Sequence, residues 1–285
     1  MTTPGPAPMP HARPGPTGPV QVTGEVLSVK RAGDFFHLTL VAGDIPERSR
    51  PGSFVGLAVG DPASSVLLRR PFWVHRVRPS GAYGGTVEIL LRVRGGGTRV
   101  LSELRRHDEV DVVGPLGRPF ALPKEPVSCV LVGGGHGCAP LFFLAERLRE
   151  RGCGVHMVLG AEAERRLFGA LEARRTAKSV TVTTTDGSVG ITGSVTDPLG
   201  DLLERTGSAV VYACGPTAML AAVASIASER AVWSQCAVEQ PMACGTGLCM
   251  TCAIPAVGDD GVLRMPRACV EGPVLRGDQV QWESL

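Results

Sequence analysis

The sequence predicts a multidomain β plus α/β protein: an antiparallel barrel, a doubly wound parallel-sheet domain and a small C-terminal cysteine module. Three observations carry this. Short alternating or apolar runs broken by Gly, Pro and Asp fill residues 20–122, as in antiparallel barrels. Strand and helix patterns then alternate through residues 123–233, which implies a parallel sheet covered on both faces. Residues 234–285 hold "CGTGLCMTC" and little helical signal.

The first 19 residues, "MTTPGPAPMPHARPGPTGP", are rich in Pro and Gly and lack an apolar centre. They read as a disordered tail rather than a signal peptide, which predicts a cytoplasmic protein. Such a compartment keeps thiols reduced, so nine cysteines are not a disulfide framework. Cys129, Cys138, Cys153 and Cys236 sit in apolar runs and are expected to be small core residues. With 44% hydrophobic and 20% charged residues and a net charge of +2, the chain is an ordinary globular one. There is no basic patch interleaved with aromatics to bind nucleic acid. No apolar run is long enough for a membrane span.

In the barrel region "QVTGEVLSV", "FFHLTLVA", "SFVGLAVG", "FWVHRVRP", "TVEILLRVR" and "EVDVVGP" are strands. "TRVLSELRR" is a helix, with Thr98 as its expected N-cap. Arg69 and Arg70 stand before Pro71, and Gly95, Gly96 and Gly97 open the helix. A glycine turn at a helix start offers free amides to an anion, and a neighbouring arginine can fork onto a pyrophosphate. Taken alone, the arginines read as a solvated pair and the glycines as a flexible turn. Their joint placement ahead of a dinucleotide-type domain favours a diphosphate cofactor.

In the second domain "VSCVLVGG" is a buried strand. "APLFFLAERLRERG" is a helix ending at Gly152. "VHMVLG", "SVTVTTT" and "SAVVYACG" are further strands; "FGALEARR", "VTDPLGDLLERTG" and "PTAMLAAVASIASER" are helices. Gly133, Gly134, Gly135 and Gly137 lie between strand and helix, where backbone can approach a pyrophosphate. Cys214, Gly215 and Pro216 follow a later strand. That edge binds ligands in open α/β sheets, although a tight turn starting a helix at Pro216 explains them as well. Glu162, Glu164, Arg165 and Arg166 do not decide NAD against NADP.

Cys244, Cys249, Cys252 and Cys269 have the spacing C-x4-C-x2-C-x16-C. This is the plant-type arrangement for a [2Fe–2S] cluster. Thiolates are soft donors suited to iron, and Gly245 and Gly247 let the backbone fold tightly. Zinc usually takes two C-x2–4-C knuckles, so iron–sulfur is favoured over zinc and over mere packing.

This ordered set of motifs resembles the ferredoxin-reductase superfamily. From about Val20 onward it is similar to the electron-transfer subunits of NAD-linked dihydroorotate dehydrogenases, notably in "TDGSVGITGSVTDPL" and "EQPMACGTGLCMTC", which carries Glu239. The resemblance implies that Arg70, Pro71, Phe72, Trp73, Leu90, Leu91, Arg92, Gly97 and Thr98 hold FAD. It implies that the four glycines and Cys214–Gly215–Pro216 frame NAD(H) or NADP(H), with Cys214 as the candidate catalytic thiol. Cys244, Cys249, Cys252 and Cys269 would hold [2Fe–2S]. It further implies a partner, an FMN-containing dihydroorotate dehydrogenase-like catalytic subunit, in a heterotetramer serving pyrimidine biosynthesis. A reductase for a ferredoxin, an oxygenase or another oxidoreductase is the alternative, and a non-catalytic redox sensor or zinc-bearing interaction module is a third reading. One residue departs from the pattern: Trp73 stands where the family usually has Ser or Thr near the flavin's N5.

Overall fold

The computed structural model describes residues 18–60, 66–78 and 84–285. Most of the tail predicted for residues 1–19 lies outside these.

Six strands close a barrel: β1 (Val20–Ala32), β2 (Phe35–Val41), β3 (Phe54–Leu57), β4 (Arg70–Arg78), β5 (Thr86–Leu91) and β6 (Glu109–Leu116), in the order β1-β2-β5-β4-β3-β6. On β6 every second residue from Val110 to Leu116 is buried, the period-two pattern of a strand with one face on a core. A short helix, α1 (Ile45–Arg48), links β2 to β3, and α2 (Gly96–Glu103) links β5 to β6. The N-cap of α2 is Gly95, not Thr98. Thr98 sits three residues in, and its Oγ1 accepts from the Arg94 and Gly95 amides at 2.8 and 3.2 Å. The hydroxyl thus reaches back to satisfy donors that three glycines cannot.

The second sheet has the order β10-β9-β8-β7-β11-β12-β15. Its members are β7 (Ser128–Gly134), β8 (Gly154–Ala161), β9 (Ser179–Thr184), β10 (Ile191–Thr192), β11 (Val210–Cys214), β12 (Trp233–Ala237) and β15 (Val274–Arg276). All pair in parallel except β15. Helices α3 (Ala139–Glu150) and α4 (Ala170–Thr176) cover one face; α5 (Leu199–Thr206) and α6 (Thr217–Glu229) cover the other. Helix α5 starts only after Pro198, so the "VTD" predicted as helical forms a turn. There Asp197 Oδ2 accepts from the Ser194 amide at 2.8 Å, and the residue before a proline is biased away from helix.

The chain builds β7, β8 and β9 outward, then returns to place β11 on the other flank of β7. This creates a switch point at the carboxyl ends of β7 and β11, where a crevice opens for ligand.

The boundary expected at 233/234 falls inside this sheet. Strand β12 pairs with β11, and β15 completes the edge with Cys236 opposite Leu275. A hairpin of β13 (Ala256–Val257) and β14 (Leu263–Arg264) lies between them in sequence. Cys252, Ile254, Ala268, Cys269 and Val280 share one core with α5 and α6. Too short to bury a core of its own, the cysteine module is built onto the nucleotide domain.

Candidate functional site

A cavity of about 210 Å³ opens between the barrel and the second domain. Pro71, Phe72 and Trp73 of β4, Leu90 and Leu91 of β5, Arg92 and Thr98 line it. Arg70 and Gly97 stand beside this wall. A Cβ on Gly97 would lie 3.0 Å from Arg70 Nε, so the guanidinium packs closely against the start of α2, and a side chain there would press on it. The first amides of a helix have no intrahelical acceptor. With Arg70, which also donates to the Leu68 carbonyl at 2.8 Å, they could receive an anion at the cavity's edge.

The indole of Trp73 is committed elsewhere: Nε1 donates to Glu239 Oε1 at 2.9 Å. Glu239 Oε2 lies 4.0 Å from His136 Nε2. His136 and Glu239 both line the cavity, and neither was singled out for it from sequence. Burial lowers the His136 pKa; Glu239 opposes that shift, and Arg94 and Arg92 add to it.

A second cavity of about 270 Å³ sits at the switch point. Gly134, Gly135, Pro216, Thr183 and Ser194 line it, with Glu162 and Arg166, which form an ion pair, at its rim. The predicted glycines divide into two roles. Gly134 and Gly135 face the cavity. Gly133, Gly137 and Gly215 permit close packing: a Cβ on Gly137 would stand 2.7 Å from the Gly215 Cα.

Cys214, expected beside the nicotinamide nucleotide, ends β11. Val210, Tyr212 and Cys214 point into one core while Val211 and Ala213 point into the other. Its thiol is fully buried and lines neither cavity. Burial, and then the nearby Glu239, raise its pKa well above the usual thiol range. The expected core cysteines Cys129, Cys138, Cys153 and Cys236 are indeed buried.

The four motif cysteines fall into two pairs. Cys252 and Cys269 are each 2% exposed, with sulfurs 3.3 Å apart. Cys244 and Cys249 form an outer pair. The Thr246 amide donates to Cys244 Sγ at 3.4 Å. That amide foremost, with those of Cys249 and Leu248, lowers the Cys244 pKa to about 5. Burial, followed by the Cys252 sulfur, raises Cys269 to about 12. Gly245 and Gly247 have φ of +70° and +90°, and even Met250 has φ +61°. A Cβ on Gly247 would meet Val270 Cγ2 at 2.6 Å. Positive φ on a non-glycine residue is uncommon and concentrates at functional sites. Two thiol pairs, the outer one on a loop whose amides point at sulfur, suit two iron atoms with two thiolates each.

The sites adjoin. Phe54, Pro71 and Met242 wall the first cavity and also a crevice shared with Cys244, Gly245 and Thr246. On the other side, Arg92, Arg94 and His136 line both cavities.

Residues 239–281 match the iron–sulfur cluster binding domain of dihydroorotate dehydrogenase B, and residues 131–225 match an oxidoreductase NAD-binding domain. The chain is 35% identical over 253 residues to the dihydroorotate dehydrogenase B (NAD(+)) electron transfer subunit of Desulforamulus reducens, covering 88% of this chain and 94% of the relative. The subunit of the same description from Geobacillus thermodenitrificans is 36% identical over 249 residues, 86% and 92% of the two chains. Among solved structures, one of an NADH-dependent reduced ferredoxin-NADP oxidoreductase superposes with a TM-score of 0.80 at 31% identity, covering 93% and 91%. A ferredoxin NADP+ reductase from Neisseria gonorrhoeae shares the fold, with a TM-score of 0.60, 16% identity and 73% and 91% coverage. The chain belongs to the family of electron-transfer subunits of NAD(+)-linked dihydroorotate dehydrogenase B.

Proposed function

We propose that this chain passes electrons between an FMN-containing dihydroorotate-oxidising subunit and NAD through a [2Fe–2S] cluster and FAD, as a cytoplasmic heterotetramer in pyrimidine biosynthesis. One observation carries the reading: the first cavity shares one wall with the cysteine loop and another with the nucleotide cavity. A relay needs this serial order.

Arg70 and the first amides of α2 hold the FAD pyrophosphate, with Thr98 fixing the turn. Phe72, Leu90 and Leu91 supply the apolar wall for the ring. Gly134, Gly135 and Pro216 frame the nicotinamide nucleotide at the switch point, and Arg92 and Arg94 lie on the boundary between the two ligands. When bound, FAD supplies the conversion between hydride transfer and single-electron transfer. Cys244, Cys249, Cys252 and Cys269 hold the cluster in two thiolate pairs, and their thiols need a compartment that keeps them reduced. Leu248 is 86% exposed and Met250 51%; they flank the exposed Cys249, giving the cluster loop an apolar rim suited to a protein partner.

The test is the purified, reconstituted protein. Flavin absorbance, two irons and two acid-labile sulfides per chain, and anaerobic bleaching by NADH are the expected results. Iron-free protein, or zinc at the cysteines, overturns the reading. Service to a ferredoxin or another oxidoreductase is a second reading, favoured by the solved structure at TM-score 0.80. Co-purification with the dihydroorotate-oxidising subunit decides between them.

A further inference from the structure

The residues between the two cavities have a chemical task that electron transfer alone does not describe. Two electrons arriving from the cluster bring no proton, whereas a hydride leaving for the nicotinamide removes one. With FAD bound in the first cavity, each electron pair crossing in that direction would require one proton to be delivered there; in the reverse direction one would have to leave.

We propose that His136 and Glu239 carry this proton between solvent and the flavin cavity, and that Trp73 positions Glu239 for the task. The inference rests on the functional reading above. Its geometry is independent of that reading. Trp73, Glu239 and His136 all line the first cavity. They come from three separate parts of the chain: β4, the segment entering the cysteine loop and the turn after β7. The indole N–H is spent on Glu239 Oε1 at 2.9 Å, so it is not free to serve the flavin. It fixes one carboxylate oxygen and leaves the other, Oε2, 4.0 Å from His136 Nε2.

The Glu239 side chain is 43% exposed and that of His136 32%, so the pair reaches from bulk water to the cavity wall. The charged groups facing His136 are Glu239, Arg94 and Arg92. Burial and the two arginines favour the neutral imidazole while Glu239 favours the cation. The net direction is downward, so the imidazole rests neutral, with a ring nitrogen open to accept a proton and pass it on. Cys214, the other titratable side chain near Glu239, stays a neutral thiol.

The experiment compares two half-reactions of the FAD- and cluster-loaded protein in H2O and D2O. A reduced viologen supplies single electrons; NADH supplies hydride. Glu239→Gln and His136→Gln are each expected to slow viologen-driven flavin reduction on the order of a hundredfold. Both should abolish its pH dependence and solvent isotope effect, while slowing hydride transfer far less. A histidine NMR titration of the cofactor-free protein gives a readout besides turnover. Glu239→Gln should lower the His136 pKa, and Trp73→Phe, which keeps the ring but loses the donor, should produce a smaller shift of the same sign. Equal slowing of both half-reactions, a viologen rate unchanged in both variants, or an unmoved His136 titration overturns the proposal. Failure to bind FAD or iron, or a flavin that NADH does not reduce, instead sinks the functional reading itself.

Discussion

Residues 243–251 carry two of the four cysteines on backbone that is neither helix nor strand, with sulfurs positioned by amides a few residues away. The flavin cavity is assembled differently. Its walls come from β3, β4, β5, the start of α2, the turn after β7 and the segment after β12, and its central hydrogen bond joins residues 166 apart. The cysteine loop therefore stores its chemistry in local spacing. The cavity stores its chemistry in tertiary placement, and damage should propagate differently from each.

The largest effect is expected at the loop. Cys269→Ser removes one member of the buried sulfur pair, and a hydroxyl is a poor iron ligand beside thiolate. Iron and sulfide analysis should show the cluster lost, while flavin absorbance and NADH-driven flavin bleaching persist. Because the loop shares a core with α5 and α6, the thermal midpoint should fall as well. An intact cluster in this variant would break the pairing of Cys252 with Cys269.

The same contrast explains what was legible in the sequence. Cysteine spacing is a property of contiguous chain, so the four candidate ligands could be picked out directly. The barrel and the parallel sheet were legible because a buried face imposes period two on strands and 3.6 on helices. His136 and Glu239 were not legible as partners, since nothing local records that the turn after β7 and the exit of β12 meet over Trp73. The position of Cys214 at a strand's carboxyl end is local and legible, whereas the face its side chain takes depends on the strand's alternation between two cores. The sheet's last strand was missed for a related reason: β15 is three residues long and gains its meaning only by pairing with β12.

The next effect concerns how the barrel is held against the nucleotide domain. Arg76 on β4 meets Glu146 of α3 at 2.8 Å and Glu172 of α4 at 2.5 Å, with Glu88 of β5 at 4.0 Å. His37, His75 and Glu88 could together hold a metal ion, but the guanidinium already supplies the cation there. Arg76→Ala leaves three carboxylates without it and should cost about 3 kcal/mol in denaturant unfolding. Burial pushes the pKa of Glu88 and of Glu172 up, but His37 and His75 respectively, with Arg76, hold both below the usual carboxylate range. Folded values below unfolded ones give stability that is present above the ordinary carboxylate range. It is lost as pH falls through the folded values. In the variant that acid loss should begin at higher pH; an unshifted acid limb would show that Arg76 contributes no interdomain charge pairing.

A smaller effect tests the cavity's most local part. Gly97→Val places a branched side chain where even a Cβ would stand 3.0 Å from Arg70 Nε. The guanidinium must move off the start of α2, and FAD affinity should fall by about tenfold, roughly 1.4 kcal/mol, in a flavin fluorescence titration. An unchanged affinity would place the pyrophosphate away from α2.

The smallest effect lies at the rim of the nucleotide cavity, where surface charge decides between two cofactors. Glu162 follows β8 and pairs with Arg166, both facing the cavity. An acidic group there suits the ribose 2′-hydroxyl of NAD, and an arginine suits the 2′-phosphate of NADP. The pair as it stands presents a neutralised arginine. Glu162 is 73% exposed, and exposed pairs contribute only about 0.2–1 kcal/mol. Glu162→Ala should therefore free Arg166 and raise the ratio of kcat/KM for NADPH over NADH by only about threefold, measured by flavin bleaching. A larger rise would mean that Glu162 also rejects the phosphate directly. No rise would mean that these charges serve the solvent and that selectivity is set deeper in the cavity, beside the buried Thr183.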